Sequence, residues 1–383
     1  MNFEPSAAQR AFEARARAFA VERVEPLAAS IDAEARFPME LVREAGAIGL
    51  MGATIPEAWG GAGHDYLAYV LALEAVAHAS ATLAVILSVN NSLVAETLYR
   101  HGSAAQQDRW LRALATGGAV GAFALSEEQA GSDAANLSTR AEADGAAFRL
   151  TGAKVWVANA DVADVALVWA VTDAAQHHRG ISAFIVPMDS PGIGRTARAD
   201  SLGVRGLGCM DLSFDGVLVG ADQMLGAADE GFAIAMEALD GGRVAIAAQA
   251  LGVGEAALGE AIAYAKRRVA FGQPIASYQA IQFMLADMTT ELEAARLLTW
   301  RAADARDGRR RSSVAASMAK LAASEAGHMA ADTAMQILAS EGYRRGSRVE
   351  RFLRDVRAAG IYQGTSEVQR LIIADGVVDN AWA

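Results

Sequence analysis

The pattern of hydrophobic and polar positions divides the chain into three regions. In the first region, apolar residues recur every three to five positions, which is the spacing of a helix with one buried face. In the second, the apolar runs are short and alternating, with Gly, Asp and Pro between them, as in strands joined by turns. In the third, long helical patterns return. We therefore predict a mainly α-helical protein with a central β domain: an N-terminal α-helical domain over 1–116, a middle β domain over 117–226 and a C-terminal helical bundle domain over 227–383.

The clearest periodic segments predict individual elements in the second and third regions. The predicted strands are 148–150, 165–171, 181–186 and 210–214. The predicted helices are 232–265, 281–307, 313–338 and 366–374, whose alanine-rich faces suit close helix packing.

Composition supports this architecture and excludes several classes of protein. A chain of 383 residues exceeds one hydrophobic core, and 53% apolar residues with only 7 prolines favour long helices. The net charge of −11 and the absence of any basic run longer than 309–311 argue against nucleic acid as a partner. The lone Cys209 excludes an internal disulfide and a multi-cysteine metal site. We find no signal-peptide pattern and no apolar stretch of the roughly 20 residues that a membrane span needs, so we expect a cytoplasmic enzyme.

Common catalytic motifs are absent from the sequence. There is no G-x-G-x-x-G after a strand, no P-loop lysine, no G-x-S-x-G and no H-E-x-x-H. The adjacent His177 and His178 lie in a predicted turn, where a solvated loop is favoured over a metal site. Four other segments carry polar residues at chosen points: F-A-L-S-E-E-Q-A-G-S-D at 123–133, K-V-W-V-A-N at 154–159, R-V-A-F-G-Q-P-I at 268–275 and I-Y-Q-G-T-S-E-V-Q-R at 361–370.

In order and spacing, these four segments resemble the motifs L-T-E-P-x-A-G-S-D, K-x-W-I-T-N, R-x-x-F-G-x-P-I and I-Y-E-G-T-S-x-I-Q-R of the acyl-CoA dehydrogenase family. The resemblance implies an FAD enzyme that removes a proton from the α-carbon of an acyl thioester and transfers a hydride from the β-carbon to flavin N5. Because the segment 88–93 resembles the substrate-cavity helix of the short-chain branch, a short acyl group on CoA or on a carrier protein is expected. The resemblance also implies that the middle domain is a β-barrel or β-sandwich and that the C-terminal domain is a four-helix bundle. It further implies a homotetramer and an electron-transfer flavoprotein as the electron acceptor.

Several residues in these segments suit a flavin cofactor. A flavin needs hydrogen-bond partners along its pyrimidine edge and an apolar or aromatic wall, which Leu125, Ser126 and Trp156 could supply. Arg268 could place a guanidinium on the pyrophosphate. The alternatives are that Trp156 is a core aromatic residue and that Arg268 is a surface ion-pair partner. By resemblance the cofactor site also includes Ala158, Phe271, Gln279, Gln336, Thr365 and Glu367, with the residues at 271, 279 and 336 partly serving a neighbouring subunit.

The thioester site rests on resemblance as well. It assigns Ser132, Asp240 and Arg243 to the CoA part of the ligand, and adds Tyr362 and Gly364 to the substrate-binding residues. Asp240 and Arg243 are three residues apart on a predicted helix, so a simple intrahelical ion pair is the alternative.

The residue at the family's catalytic base position is Gln363, where the motif has Glu. An amide of that size cannot accept a proton near neutral pH. Some branches carry the base one residue before the arginine of the L-D-x-x-R helix, but this chain has Gly242 there. Ala158 stands where the motif's threonine donates to flavin N5, and Gln129 replaces a proline.

Three accounts of these departures remain open. In the first, Gln363 is a deliberate replacement in an ordinary dehydrogenase. In the second, another residue serves as the base, with Tyr362, Glu96 and Asp133 as candidates. In the third, the fold performs a non-oxidative, flavin-assisted thioester reaction or forms a non-catalytic subunit of a heteromer. Dehydrogenation of a short acyl thioester is the preferred function.

Overall fold

The structure is a computed structural model that describes residues 4–198, 200–308 and 313–378. The basic run 309–311 of the sequence analysis lies outside these residues. The order of a helical, a β and a second helical region is confirmed. Apolar side chains form one large core shared by both helical regions and the inner face of the sheet, and a second core inside the β region.

The N-terminal region consists of short helices around a long apolar centre. Its first helix begins with a capping box in which Ser6 and Gln9 exchange hydrogen bonds, and its last helix begins in the same way with Ser103 and Gln106. The α-helices are α1 Ala7–Phe19, α2 Glu25–Glu34, α3 Met39–Ala47, α4 Tyr66–Ala79, α5 Ala81–Ser88, α6 Glu96–His101 and α7 Ala104–Thr116; π-helical turns Ala20–Val24 and Val89–Ala95 continue α1 and α5.

Two helical stretches are long and apolar enough to cross a membrane by length and composition alone. They are Ala81–His101 and Gly231–Arg267, so the expectation that no stretch reaches that length was wrong. The apolar window is 100% buried inside the protein in the first and 72% buried in the second. Core helices of folded proteins have this property, and both stretches serve as the centre of the core here.

The middle region is a mixed sheet. Its strands are β1 Gly121–Ala124, β2 Arg140–Asp144, β3 Ala147–Val157, β4 Val165–Val171, β5 Ile181–Pro187, β6 Ile193–Ala197, β7 Met210–Gly220 and β8 Met224–Leu225. In the described part of the chain they form one eight-stranded sheet in the order β6-β7-β3-β2-β4-β5-β8, with β1 parallel to β4.

Strand β4 joins the two cores. Val165, Leu167 and Trp169 face the helical core, whereas Ala166 and Val168 face the core of the β region. Because both faces are covered, the strand is a continuous apolar run. The indole of Trp169 donates to the Gly231 carbonyl at 2.7 Å, which ties the sheet to the start of the third region.

The C-terminal region is built on three long helices. They are α8 Gly231–Arg267, α9 Gln279–Asp307 and α10 Ser313–Leu338; the shorter helices are α11 Ser340–Tyr343, α12 Arg348–Arg357 and α13 Ser366–Val378, and a small hairpin of β9 Val269–Ala270 and β10 Gln273–Pro274 precedes α9. Alanine and glycine line the buried faces of α8 and α10, which lets their backbones approach closely.

Two glycines of α8 test this close packing in one helix. A Cβ at Gly252 would lie 2.3 Å from the Glu74 carbonyl oxygen of α4, a backbone atom that cannot move freely. We expect Gly252→Ala to destabilise the protein by about 1–3 kcal/mol through overpacking. Gly259 has nothing within 4 Å of a Cβ, so Gly259→Ala should be neutral or stabilising by up to about 1 kcal/mol. Thermal denaturation measures both; equal shifts in Tm would contradict this packing.

Candidate functional site

The loop between α12 and α13 contains a sharp turn at Gln363 and Gly364. Both residues have positive φ, 54° and 92°, which is unusual for glutamine and natural for glycine. Directly after the turn, the Thr365 hydroxyl accepts a hydrogen bond from the Val368 N–H and caps α13. The turn is therefore held in a strained conformation beside a fixed helix start.

Three side chains from the helical bundle hold the carbonyl groups of this turn. Arg243 on α8 contacts the Gln363 carbonyl at 3.5 Å, and Gln369 on α13 donates to the carbonyls of Gln363 and Gly364 at 3.3 and 2.9 Å. Lys320 on α10 donates to the Gly364 carbonyl at 2.6 Å. Within the described residues, the N–H groups of the turn form no hydrogen bond.

The side chain of Gln363 fills the space that Gly242 leaves open. A Cβ at Gly242 would lie 2.2 Å from Gln363 Oε1 and 2.7 Å from Leu93 Cδ2. Gln363 Oε1 is buried and has no hydrogen-bond partner among the described residues. Side chains at the two positions that carry the family's base would therefore occupy the same space, and neither Gln363 nor Gly242 supplies a carboxylate.

The other three candidate bases lack the features of a poised base. The phenol of Tyr362 donates to Gln249, and burial raises the pKa of Tyr362 well above its usual value. Glu96 is buried and accepts from Tyr66 at 2.8 Å and from Arg306 at 2.9 Å. Asp133 is exposed on the loop after β1. The surroundings of Tyr362, Glu96 and Asp133 therefore do not support any of them as the catalytic base.

Asp240 and Arg243 form an ion pair on α8, with 2.8 Å between Oδ1 and Nη1. Both are nearly inaccessible, and Ser313 also donates to Asp240 at 2.5 Å. The intrahelical pair considered as the alternative is therefore present in the chain. Because Arg243 also contacts the Gln363 carbonyl, the ion pair links α8 to the turn. The binding of CoA by Asp240 and Arg243 remains a prediction. Ser132, assigned to the same ligand, is exposed.

The two loops predicted to face the flavin lie side by side. The Val155 N–H donates to the Ser126 carbonyl at 2.9 Å. Trp156 has a φ of 55° and is 53% exposed, and the Arg198 guanidinium lies 4.9 Å from the centre of its ring. Leu125 is buried and Ser126 half-buried. The loops thus present an exposed aromatic face next to polar backbone, the surface a flavin ring requires.

A buried ion pair between Lys154 and Glu127 holds these loops together. Nζ lies 2.7 Å from Glu127 Oε1 and donates to the Leu125 carbonyl at 3.0 Å. Burial lowers the pKa of Lys154 to about 8. Burial would raise the pKa of Glu127, but the charge of Lys154 and hydrogen bonds from Lys154 and Ser138 outweigh this effect and lower that pKa to about 2. Both groups are therefore charged at neutral pH.

Gln129, which replaces the family's proline, joins the same cluster. Its amide donates to Glu127 Oε2 and to the Ser138 hydroxyl, each at 2.9 Å. Hydrogen bonds therefore restrain this loop where a proline ring would otherwise do so.

Asn159 fixes the segment that carries Ala158. It has a φ of 65° and is wholly buried, and its amide donates to the Ile86 carbonyl at 3.3 Å and to the Gly121 carbonyl at 3.1 Å. The half-buried Ala158 is thereby held between the N-terminal helices and β1. The roles of Asn159, Lys154, Lys320 and Gln369 were not predicted, although three of them lie inside the quoted motifs.

The remaining predicted cofactor residues lie on the surface of the chain. Arg268 and Gln279 are exposed, and Phe271 is 97% exposed at a φ of 50°. Gln336, near the end of α10, is exposed as well, as is Glu367 in the first turn of α13. In the described ranges, no hydrogen bond or ion pair connects Arg268, Gln279 or Gln336 with the loops at Ser126 and Trp156. Their assignment across a subunit boundary stays a prediction that this placement allows.

Three family descriptions together match most of the chain. They are "Acyl-CoA dehydrogenase, N-terminal domain" at residues 6–118, "middle domain" at 122–217 and "C-terminal domain" at 229–378. The short-chain specific acyl-CoA dehydrogenase of Bos taurus mitochondria is 46% identical over 358 residues, which covers 94% of this chain and 87% of that protein.

Solved structures agree with this similarity. The butyryl-CoA dehydrogenase of Megasphaera elsdenii is 37% identical with a TM-score of 0.97, and the alignment covers 99% of this chain and 100% of that one. A structure described as PigA with FAD and proline is 26% identical with a TM-score of 0.95, covering 99% of each chain.

The Lys154–Glu127 pair leads to a prediction about the flavin loops. Lys154→Met should destabilise the protein by about 3–5 kcal/mol, because it leaves the Glu127 carboxylate buried without its cation. The double variant Lys154→Met/Glu127→Gln should recover much of this loss. Arg149→Met, which breaks the exposed pair with Asp144, should cost less than about 1 kcal/mol. Denaturation midpoints test the series, and a similar loss in the single and double variants would contradict the proposed cause.

Proposed function

The chain belongs to the acyl-CoA dehydrogenase family, and we propose that it uses FAD to desaturate a short acyl thioester between its α- and β-carbons. The observation that carries the proposal is the turn at Gln363 and Gly364, whose N–H groups form no hydrogen bond with any described residue and whose Gln363 side chain packs against Gly242. The similarity to short-chain and butyryl-CoA dehydrogenases supports a short acyl group on CoA.

The residues present fit FAD. The exposed face of Trp156 and the half-buried Ser126 offer a wall and polar partners for the flavin ring. Arg268 is an exposed arginine that forms no ion pair with any described residue, so it is free to bind the pyrophosphate. When bound, FAD supplies the acceptor for the substrate's β-hydride.

The protein's own part in the reaction is to bind the thioester and stabilise charge. The N–H groups of the turn are suited to donate hydrogen bonds to the thioester carbonyl, which increases the acidity of the α-proton. Leu93 and the Gln363 amide pack around Gly242 beside the turn, and this close packing favours a short acyl chain.

Residue 363 then decides the rate of proton removal. An amide can contact the α-carbon but cannot take its proton, and none of the other candidate residues is poised to do so. We propose that the chain binds substrate and oxidises it slowly, with proton transfer as the limiting step. The non-oxidative reaction and the non-catalytic subunit find no support among the similar proteins.

We further propose a homotetramer that acts in the cytoplasm and passes its electrons to an electron-transfer flavoprotein. A groove between α9 and α10, lined by apolar side chains together with Asp287, Glu291 and Glu325, is a candidate surface for assembly. Its lining includes Met284, Leu298, Met318, Leu321, Met329 and Ile373, and Phe283 beside it is 62% exposed. Family resemblance supports the remaining two statements.

The base position gives the central kinetic prediction. Gln363→Glu should accelerate anaerobic bleaching of the flavin by butyryl-CoA by about 10²–10⁴-fold, because it restores a general base. Gln363→Met, which has similar volume and no carboxylate, is the control and should not accelerate it. Stopped-flow absorbance measures both rates. A Gln363→Glu variant that binds FAD and butyryl-CoA but shows no faster bleaching would sink the assignment.

The exposed arginine gives a prediction about the cofactor. Arg268→Ala should weaken FAD binding by about 10–100-fold, the loss of one charge-assisted contact. Arg267→Ala is the matched control, since that guanidinium stacks over Tyr264 at 5.5 Å. Flavin content after dialysis distinguishes them, and equal retention in both variants would contradict the pyrophosphate role of Arg268.

A further inference from the structure

Lysine is rare in this chain and is placed in an unusual way. There are three lysines among 34 basic residues, and both Lys154 and Lys320 are wholly buried. Lys154 has the Glu127 carboxylate as its partner. Lys320, by contrast, forms no ion pair with any described residue, and its hydrogen bond runs to the Gly364 carbonyl at 2.6 Å. Burial without a counter-ion penalises the charged form of an amine, so the position of Lys320 beside the turn is unusual.

We propose that Lys320 is a positioning residue that holds the Gly364 carbonyl, directs the N–H groups of the turn toward the thioester and stabilises negative charge that develops on it. The inference rests on the proposed function, since it needs a thioester bound at this turn. It assigns the stabilising cation of the site to α10, outside the four sequence motifs.

The geometry of the peptide bond supports this role. In a trans peptide the C=O and N–H groups point in opposite directions. Because Lys320 and Gln369 hold the carbonyl of Gly364, and Arg243 and Gln369 hold that of Gln363, the N–H groups of Thr365 and Gly364 point away from these side chains. Donors on the carbonyl side also polarise each peptide and strengthen its N–H as a donor.

The charge of Lys320 depends on its surroundings. Burial, aided by Arg243 on α8, lowers the pKa of Lys320 to about 7, and Glu367 on α13 opposes this. Asp240 on α8 is already paired with Arg243, and no charged side chain of α9 or α12 in the described ranges alters this pKa. Without ligand the amine therefore carries its charge below about pH 7, and a negative charge on a ligand at the turn would raise this pKa and keep the amine charged.

Acetoacetyl-CoA tests the inference without need of a protein base, because its enolate forms by loss of a proton to water. The ultraviolet absorbance of the enolate, followed between pH 5 and pH 9 on the FAD-loaded protein, gives the apparent pKa of the bound ligand. Loss of the cation in Lys320→Met should raise the apparent pKa of acetoacetyl-CoA by about one unit. Lys266→Met, at the exposed third lysine, should leave it unchanged.

A second variant separates charge from hydrogen bonding and remains usable if Lys320→Met does not fold. Gln369→Met removes donors to both carbonyls and no charge, so it should weaken acetoacetyl-CoA binding by about 10-fold and shift the apparent pKa of the ligand much less. Unchanged binding in Gln369→Met, or an unchanged ligand pKa in Lys320→Met, overturns the role of the clamp. A wild-type protein that binds neither FAD nor acetoacetyl-CoA overturns the proposed function itself.

Discussion

The site depends on one constraint: the left-handed turn at Gln363 and Gly364 must be held against three helices at once. Arg243 of α8, Lys320 of α10 and Gln369 of α13 all donate to its carbonyls. The close approach of α8 to α4 through Gly252, together with the alanine-lined contact of α8 with α10, brings these helices within reach. Without that packing the turn would relax, since positive φ at a glutamine is unfavourable. Core packing and candidate chemistry are therefore coupled through a few backbone carbonyls.

In the flavin loops, too, a buried lysine holds a backbone carbonyl, but there the lysine has a carboxylate partner. Lys154 holds the Leu125 carbonyl just as Lys320 holds that of Gly364, but Lys154 is neutralised by Glu127. In both places the narrow side chain of lysine passes through the core and its ammonium group donates to a carbonyl. The broader guanidinium of arginine would not fit in the same space. The cation beside the turn lacks a carboxylate partner, and Gln363 does not provide one. A carboxylate at 363 would change both the proton acceptor and the local charge.

Much of the architecture follows from the sequence. The regular spacing of buried positions predicted the helical regions and α10 at 313–338, whereas a short continuous apolar run predicted β4 at 165–171. The hairpin of β9 and β10 and the small strands β1 and β2 were not predicted, since their few residues show no clear period. The helix α12 was missed although Val349, Phe352 and Val356 have helical spacing. The motifs located the turn, the flavin loops and the departure at Gln363. The sequence could not reveal that Gly242 and Gln363 share one volume, or that Lys320 lies behind the turn, because these contacts join residues far apart in the chain.

The most direct test of this account is an experimental structure of the protein with FAD and a short acyl-CoA. The account predicts that the thioester carbonyl accepts hydrogen bonds from the turn, that the α-carbon lies against the Gln363 amide and that Lys320 remains on the Gly364 carbonyl. A thioester bound away from residue 363, or a turn whose N–H groups face the bundle, would contradict it.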